Sequence, residues 1–336
     1  MRGPPRHYAD LSDVQNCLEI PGEVSKDAAD KLLYSWQNSS TKLGSMQSQA
    51  ELFSAQGDYS FVILPDTQYT VQYYPLVWRA MVQWILDHIE SHNITAVLGL
   101  GDVTDTGAES AYIEGASGWQ SFMDAGLVCV PVIGNHDYYT KLNHDVTVGG
   151  CEYGGIGSTC LSRWDTYFGE SFFAGKSWYG ACQGSSTQNY YVNYSIGSHN
   201  YIFLALCWLP QTADLEWAAA VIAANPSKEI IVLTHYYLDD VGTRKTDIWN
   251  ALCNPYDNVM IIGGHIGEYW YRRDLNANRK FVDQFLFDYQ NYDDPNIGAG
   301  NGGYIVLMNG ELTTNKKTVT AYSVHEDTYI LHRVMS

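Results

Sequence analysis

The residues able to do chemistry in this chain stand in short polar clusters, each directly after an apolar run. Asp66 follows the run 59–65, Gly101-Asp102-Val103-Thr104-Asp105 follows 93–100, and Gly134-Asn135-His136-Asp137 follows 128–133. Further on, Thr234-His235-Tyr236-Tyr237 closes the run 229–233, and Gly263-Gly264-His265-Ile266-Gly267 closes 259–262. Carboxylate, amide and imidazole are the oxygen and nitrogen donors that divalent transition metals take. Singly, an aspartate after a strand is as well explained as a helix cap, and a histidine as a satisfied core residue. Together, five apolar runs that each end in such donors point to one metal-holding cluster. The glycines at 101, 134, 263 and 264 allow the backbone turns that would bring the donors close.

For the clusters to meet, the runs before them must be strands that share one edge. The runs are short and rich in β-branched residues, as buried strands are. Between the first two, Val77, Met81, Trp84, Ile85 and Ile89 recur at helical spacing within 75–92, and 111–125 reads as a helix before the third. A strand-helix-strand-helix-strand series predicts crossover connections and parallel strands, with the polar tips at the carboxyl edge where open α/β sheets place ligands. After Asp137 the periodicity stops for about fifty residues rich in Gly, Tyr, Trp and Ser, as in a lid or binding loop. The segments 188–196 and 200–208 read as a hairpin through Gly197-Ser198, and 214–224 as a helix. Strand-like runs at 281–287, 304–308 and 319–322, with no regular helix between them, predict an antiparallel second sheet. Residues 1–57 read as an N-terminal extension with a helix at about 26–33. Residues 58–336 read as one domain that carries all five clusters, with a loop-rich insertion at about 138–187.

Composition excludes some partners. The formal charge is −18 and no basic stripe is present to displace counterions, which argues against a nucleic-acid polymer. The 26 tyrosines and 10 tryptophans would, where they reach loops, suit flat rings such as sugars or bases. No run approaches membrane-spanning length, so no membrane partner is expected. The start, Met1-Arg2-Gly3-Pro4-Pro5, has no apolar signal region. The expectation is a secreted or extracytoplasmic protein whose signal peptide is not present in this sequence. Cys151, Cys160 and Cys182 lie where a disulfide would stiffen the insertion, whereas Cys129 and Cys207 fall in apolar strands and read as buried thiols. The three N-x-S/T sequons, at Asn38, Asn93 and Asn193, are about what this composition gives by chance.

The ordered set Asp66, Gly101-Asp102-x-x-Asp105, Gly134-Asn135-His136-Asp137, His235 and Gly264-His265 resembles the calcineurin-like metallophosphoesterases over most of residues 59–325. The resemblance implies an α/β fold, a four-layer αββα sandwich of two mainly mixed sheets flanked by helices. One or two divalent transition metals (Mn, Zn or Fe) would sit at the strand tips. By position, Asp102 would bridge the metals, Asn135, His235 and His265 would complete one shell, and Asp66 would bind the other ion. His136 would face the scissile bond as general acid, with Asp137 orienting its ring. The implied reaction is hydrolysis of a phosphoric monoester or diester by a metal-held hydroxide. Two positions depart from the pattern, since Gln68 and Gly267 stand where the family has histidines. Gln68 keeps an amide oxygen as a ligand and glycine offers none, so a harder ion such as Mn²⁺ or Mg²⁺ would suit that side. Glu268 and Asp288 are candidate replacement donors, and Asp105 is expected behind the ligands or as a helix cap.

Aromatic residues directly follow the clusters. Tyr69, Tyr138 and Tyr236 are expected at the mouth as substrate contacts, although alternation should turn one of each pair Tyr138-Tyr139 and Tyr236-Tyr237 inward. His144 in the insertion is a further candidate contact. Arg244, Lys245, Arg272 and Arg273 are either anion holders or solvated surface charges. The expected partner is a small organic or glycan substrate, and no obligate protein partner is inferred. Two other readings stand beside this one. The scaffold with one metal would cleave a sulfate ester or a glycosidic bond, or a decayed enzyme would serve as a non-catalytic binding protein. The pair His136-Asp137 speaks against the last, because a pure binder has no need of an acid aimed at a leaving group.

Overall fold

The protein is represented by a computed structural model that describes residues 57–138, 162–290, 303–314, 316–324 and 328–335. The expected extension and its helix, and the residues Asn38, Tyr139, His144, Cys151 and Cys160, lie outside the described residues.

Strand β1 (Tyr59–Leu64) leads through the short helix α1 (Gln68–Gln72) and α2 (Pro75–Asp87) to β2 (Ile94–Gly99), and α3 (Glu109–Asp124) leads to β3 (Val128–Val130). Proline at the first position of α2 costs no hydrogen bond there, and Val77, Trp78, Met81, Val82 and Ile85 bury one face of that helix. Helix α4 (Ser162–Phe168) and β4 (Tyr179–Cys182) occupy the described part of the expected insertion, which therefore carries regular structure. The hairpin β5 (Tyr190–Ile196) and β6 (His199–Leu206) forms as expected, turning at Gly197 with φ +54°. Helix α5 (Thr212–Ala223) starts at a capping box between Gln211 and Asp214. Then follow β7 (Glu229–Thr234), the single turn α6 (Thr246–Ile248), β8 (Val259–Gly263), β9 (Tyr269–Leu275), β10 (Phe281–Phe287), β11 (Tyr304–Gly310), β12 (Lys317–Ser323) and β13 (Thr328–Met335).

Two mixed sheets result, a six-stranded one ordered β13-β12-β11-β1-β2-β3 and a seven-stranded one ordered β4-β5-β6-β7-β8-β10-β9. Alternation along the strands sorts their side chains into three cores. Tyr59, Phe61 and Ile63 meet Tyr201, Phe203, Leu233 and Phe285 between the sheets. Val62, Val97, Ile305 and Leu307 pack on Trp78, Ile85, Trp119 and Phe122 of α2 and α3. Ile202, Leu204, Val232 and Ile261 pack on Leu215, Ala218 and Ile222 of α5. This is the four-layer αββα sandwich. Each fully buried aliphatic or aromatic side chain in these cores contributes about 1.5–3 kcal/mol.

One expectation about topology is corrected. The late strands do not make an antiparallel sheet of their own. Strand β11 joins the first sheet antiparallel to β1, and β12 and β13 extend it, each antiparallel to the strand before, while β10 joins the second sheet parallel to β8. Parallel neighbours need a long return, and β9 supplies it in place of a helix by running antiparallel along the outer side of β10. In consequence β1, β2, β7, β8 and β10 all end at one edge.

Candidate metal centre

The tips are tied to one another before any side chain is considered. The backbone N–H of Leu100 donates to Leu64 O at 3.0 Å, joining the ends of β1 and β2, and Gly264 N–H donates to His235 O at 2.9 Å, joining β7 and β8. Three glycines permit the close approach of the ligands. A Cβ on Gly134 would stand 2.1 Å from Asp102 Oδ1, one on Gly264 2.3 Å from Asp66 Oδ2, and one on Gly101 2.5 Å from His235 Nδ1. Two of the expected ligands, Asp102 and His265, sit at φ +52° and +78°, a left-handed conformation that side chains other than glycine enter at a cost.

Asp102 is the hub. Its Oδ1 accepts the His136 backbone N–H at 2.9 Å. Its Oδ2 lies 3.2 Å from His235 Nε2, 3.3 Å from Gln68 Nε2 and 3.9 Å from His136 Nε2. The His235 ring is fixed by donating Nδ1–H to Leu100 O at 2.8 Å, so that Nε2 points at Asp102 and, at 2.9 Å, at Asn135 Oδ1. Ligating histidines are held this way, by a second hydrogen bond on the other nitrogen. Ligand atoms of Asp102, His235 and His265 all lie within 4.8 Å of one another. Asp102 and Asn135 come from the first sheet, and the two histidines from the second. Burial pushes the Asp102 carboxyl up, yet the facing His235 and His136 bring it below the usual range. For His235 burial acts downward, and Asp102 outweighs it to leave the ring raised. Burial and the neighbouring His235 push His265 down to about 3, leaving a neutral ring with a free lone pair.

Asp66 is buried, and both its oxygens accept the His265 backbone N–H, at 3.0 and 3.1 Å. Burial first, and then Asp288 and Asp102, raise its carboxyl well above the usual range. Gln68 is also buried at the start of α1, with its Nε2 2.6 Å from Gln290 Oε1 and its own Oε1 without a hydrogen-bond partner. Asp288 is fully buried at the tip of β10, and burial raises its carboxyl to about 7. Glu268 meets Asp288 through its backbone carbonyl, which accepts the Asp288 N–H at 3.0 Å.

His136 is held by Asp105. Its Nδ1–H donates to the Asp105 carbonyl at 2.6 Å, and the same nitrogen is 3.0 Å from Asp105 Oδ1. Burial alone would lower this ring, but the Asp105 and Asp102 carboxylates raise it to about 9. The expectation that Asp137 orients the ring is corrected. Asp137 is fully buried and accepts from the backbone N–H of Gly134, Val103 and Thr104 and from the Thr104 hydroxyl, so it clamps the two loops together. Behind Asp105, Gln72 Oε1 accepts the N–H groups of Asp105 and Thr106, both at 3.2 Å, and Tyr73 OH donates to Asp105 Oδ2 at 2.5 Å.

Around this centre the aromatics divide. Tyr69 is half-buried on α1 with its ring 6.1 Å from that of Tyr73, and burial and then the Asp105, Asp102, Asp288 and Asp66 carboxylates raise its hydroxyl. Tyr236 is half-buried beside His265, with ring centroids 4.8 Å apart. Tyr138 is corrected as a substrate contact, because it is 3% exposed in the helix-side core. Tyr237 likewise turns inward and donates to Gln284 at 2.7 Å. Trp208 is the aromatic that sequence reading missed. It stacks on Tyr236 at 5.4 Å and meets His265 edge-on at 4.2 Å. Only its position at the end of β6, another strand reaching the same edge, could have singled it out. Of the four cations, Arg244 and Arg272 pair with Asp274, and Arg273 with Asp283. Lys245 places its Nζ 3.6 Å over the Tyr236 ring, and its charge is felt by His265.

This donor set fits a divalent metal, and fold and site together define the class. The chain belongs to the calcineurin-like phosphoesterase family, whose sequence profile matches residues 59–269. Over 286 residues, 82% of this chain, it is 27% identical to the uncharacterized protein YvnB of Bacillus subtilis (strain 168), and it spans 20% of that protein's length. Among solved structures, purple acid phosphatase PPD1 from yellow lupin (Lupinus luteus) seeds shares the fold at TM-score 0.51 and 12% identity, over 83% of this chain and 53% of that one. The 5'-nucleotidase from Candida albicans gives TM-score 0.46 at 12% identity, over 81% of this chain and 53% of its own.

Proposed function

We propose that this chain is a metal-dependent hydrolase of phosphoric esters, acting on a small organic or sugar-like substrate, with His136 passing a proton to the leaving oxygen. The observation that carries the reading is the convergence of Asp102, Asn135, His235 and His265 beside a histidine that is not part of the donor set. A divalent ion bound there would offset charge on the phosphoryl oxygens and acidify an attacking water.

The chain's own groups do the rest. Asp105 engages His136 Nδ1, and Nε2 lies on the cluster side of the ring, 3.9 Å from Asp102 Oδ2. Lys245 and the Trp208–Tyr236 stack form one wall, offering a cation to an anionic group and a flat face to the group that leaves. Among the described residues the Lys245 ammonium forms no ion pair with a carboxylate, so its charge remains for substrate. Tyr69 stands on the α1 side of the cluster.

The test is His136→Gln, assayed on nitrophenyl phosphate, bis-nitrophenyl phosphate and alkyl phosphates with Mn²⁺ or Zn²⁺. Turnover is expected to fall by roughly 10²–10⁴. The loss should be larger for alkyl leaving groups, with bound metal unchanged by elemental analysis. Metal lost together with activity would show that His136 is a ligand and not an acid.

A further inference from the structure

We propose that Asp274, on the edge strand β9 of the second sheet, is a positioning residue for substrate binding, anchoring the segment 236–246 so that Tyr236 and Lys245 stand against the metal centre. The inference rests on the functional reading above and adds to it a group outside the metal cluster.

Between β7 and α6 the chain folds back on itself. Leu238 and Arg244 form an antiparallel bridge, and the N–H groups of Lys245 and Asp239 donate to Tyr237 O and Thr243 O, both at 2.9 Å. In such a hairpin successive side chains take opposite faces. Tyr236 and Lys245 lie on the metal side, with Lys245 Nζ 3.6 Å over the Tyr236 ring and that ring 4.8 Å from the ring of His265. Tyr237 and Arg244 lie on the other side, and both lead to one carboxylate oxygen. Asp274 Oδ2 accepts Arg244 Nη1 at 2.6 Å and Gln284 Nε2 at 2.8 Å, and Gln284 Oε1 accepts the Tyr237 hydroxyl at 2.7 Å. Arg272 Nε is a third donor to that oxygen, at 2.6 Å, while its Nη1 donates to Gly242 O at 2.8 Å near the hairpin tip. Trp270 donates its indole N–H to Asp240 O at 3.1 Å and packs on Gly242, where a Cβ would stand 3.0 Å from its ring. Trp270, Arg272 and Asp274 share one face of β9, and all three hold the hairpin.

No residue from 239 to 247 is buried, so the hairpin arm has no apolar core of its own to fix its direction. Directional polar contacts must do so. Asp274 meets Arg272 through both oxygens, the second bond running from Nη2 to Oδ1 at 3.1 Å, a two-point geometry that fixes orientation as well as distance. The Arg244 guanidinium is held from its other side by the Trp249 ring, 3.7 Å away. The three charged side chains are 24–32% exposed, and ion pairs that reach solvent to this degree add little to global stability. Their effect is local and geometric. Arg244 directly precedes Lys245, so fixing one fixes where the other starts. A lysine needs such an anchor, because its flexible stem otherwise spreads the ammonium over many positions.

The metal-loaded protein is assayed on nitrophenyl phosphate, and its affinity for inorganic phosphate is measured by titration calorimetry, independently of turnover. Asp274→Ala should raise KM and weaken phosphate binding about fivefold, with kcat and bound metal changed by less than about twofold. Asp274 acts through Lys245, so the double variant Asp274→Ala/Lys245→Met should bind phosphate no more weakly than Lys245→Met alone. A general loss of packing would instead add the two effects. Arg244→Met removes one tie and leaves Asp274 paired with Arg272; it should show the same split between KM and kcat, and it serves if Asp274→Ala proves unfolded by circular dichroism. Unchanged KM and phosphate affinity in a folded variant, or additive losses in the double variant, would overturn the proposal. An unmutated protein that neither cleaved the ester nor bound phosphate would overturn the functional reading and this inference with it, which separates the two failures.

Discussion

Asp105 reaches His136 through both its carbonyl and its carboxylate, whereas Asp137 holds three backbone N–H groups and a hydroxyl. The two aspartates should therefore fail differently. Asp105→Ala is expected to lower kcat with the melting temperature nearly unchanged. Asp137→Ala leaves four buried donors without an acceptor and should cost about 3 kcal/mol or more of stability, read by denaturant titration. If Asp105→Ala kept full turnover, His136 would need no orienting carboxylate. Lys245→Met should raise KM and weaken inhibition by inorganic phosphate several-fold while leaving kcat close to normal; unchanged phosphate inhibition would remove Lys245 from the substrate wall. Donor types at strand ends made the convergence of Asp102, His235 and His265 legible in the sequence, because a buried strand must deliver its next residues to the sheet's edge. Which of Asp105 and Asp137 faces His136 was not legible, since it depends on how two loops 34 residues apart in sequence cross, as the Val103–Asp137 contact shows. Tyr138 and Tyr236 read alike in sequence, and only the local backbone direction sends one inward and the other to the mouth.

At the scale of elements, the strand ends work because they are tight. Gly134→Ala would place a methyl 2.1 Å from Asp102 Oδ1, against backbone and carboxylate that have no room to move. The expected outcome is at least a tenfold loss of metal affinity by competition with a chelator, with far-ultraviolet dichroism retained. Wild-type affinity would mean the tip relaxes more freely than its packing suggests. The parallel strands were readable from their β-branched runs and intervening helical periodicity. Strand β9 was not, because Tyr269-Trp270-Tyr271-Arg272-Arg273-Asp274-Leu275 is half-buried along nearly its whole length and carries no alternation. Missing β9 hid the reason that β10 lies parallel to β8, and with it the delivery of Asp288 to the site. The helix α1 was missed because five residues are too few for periodicity, yet it sets Gln68 toward the cluster and Gln72 toward Asp105.

At the scale of the molecule, the candidate metal centre draws on two sheets that otherwise meet through an apolar core. Asp102 and Asn135 belong to the sheet of β1, β2 and β3, and His235 and His265 to the sheet of β7 and β8. An ion bound by both is a staple between layers. Removing it with a chelator should lower the melting temperature, and adding Zn²⁺ or Mn²⁺ back should restore it. Ligand at one hundred times its Kd adds about 2.7 kcal/mol. At roughly 2–4 °C per kcal/mol for a domain near this size, the shift is on the order of 5–10 °C. No shift in calorimetry would mean that the ion grips one sheet alone.

The position of β1 has a consequence for the chain as it is made. β1 lies in the middle of its sheet, and the partner on one side is β11, with Tyr59 opposite Gly310. During synthesis β1 therefore waits until residues 304–310 emerge before its second edge is covered, and until then it offers Tyr59-Ser60-Phe61-Val62-Ile63-Leu64 as an open template for pairing. A ribosome-bound chain ending before residue 304 would hold Asp66, Asp102, Asn135, His235, His265 and Asp288 and still lack the strand that closes the sheet. Chains stalled or truncated in that window are the ones chaperones must shield, so β11 acts as the clasp that closes this sheet.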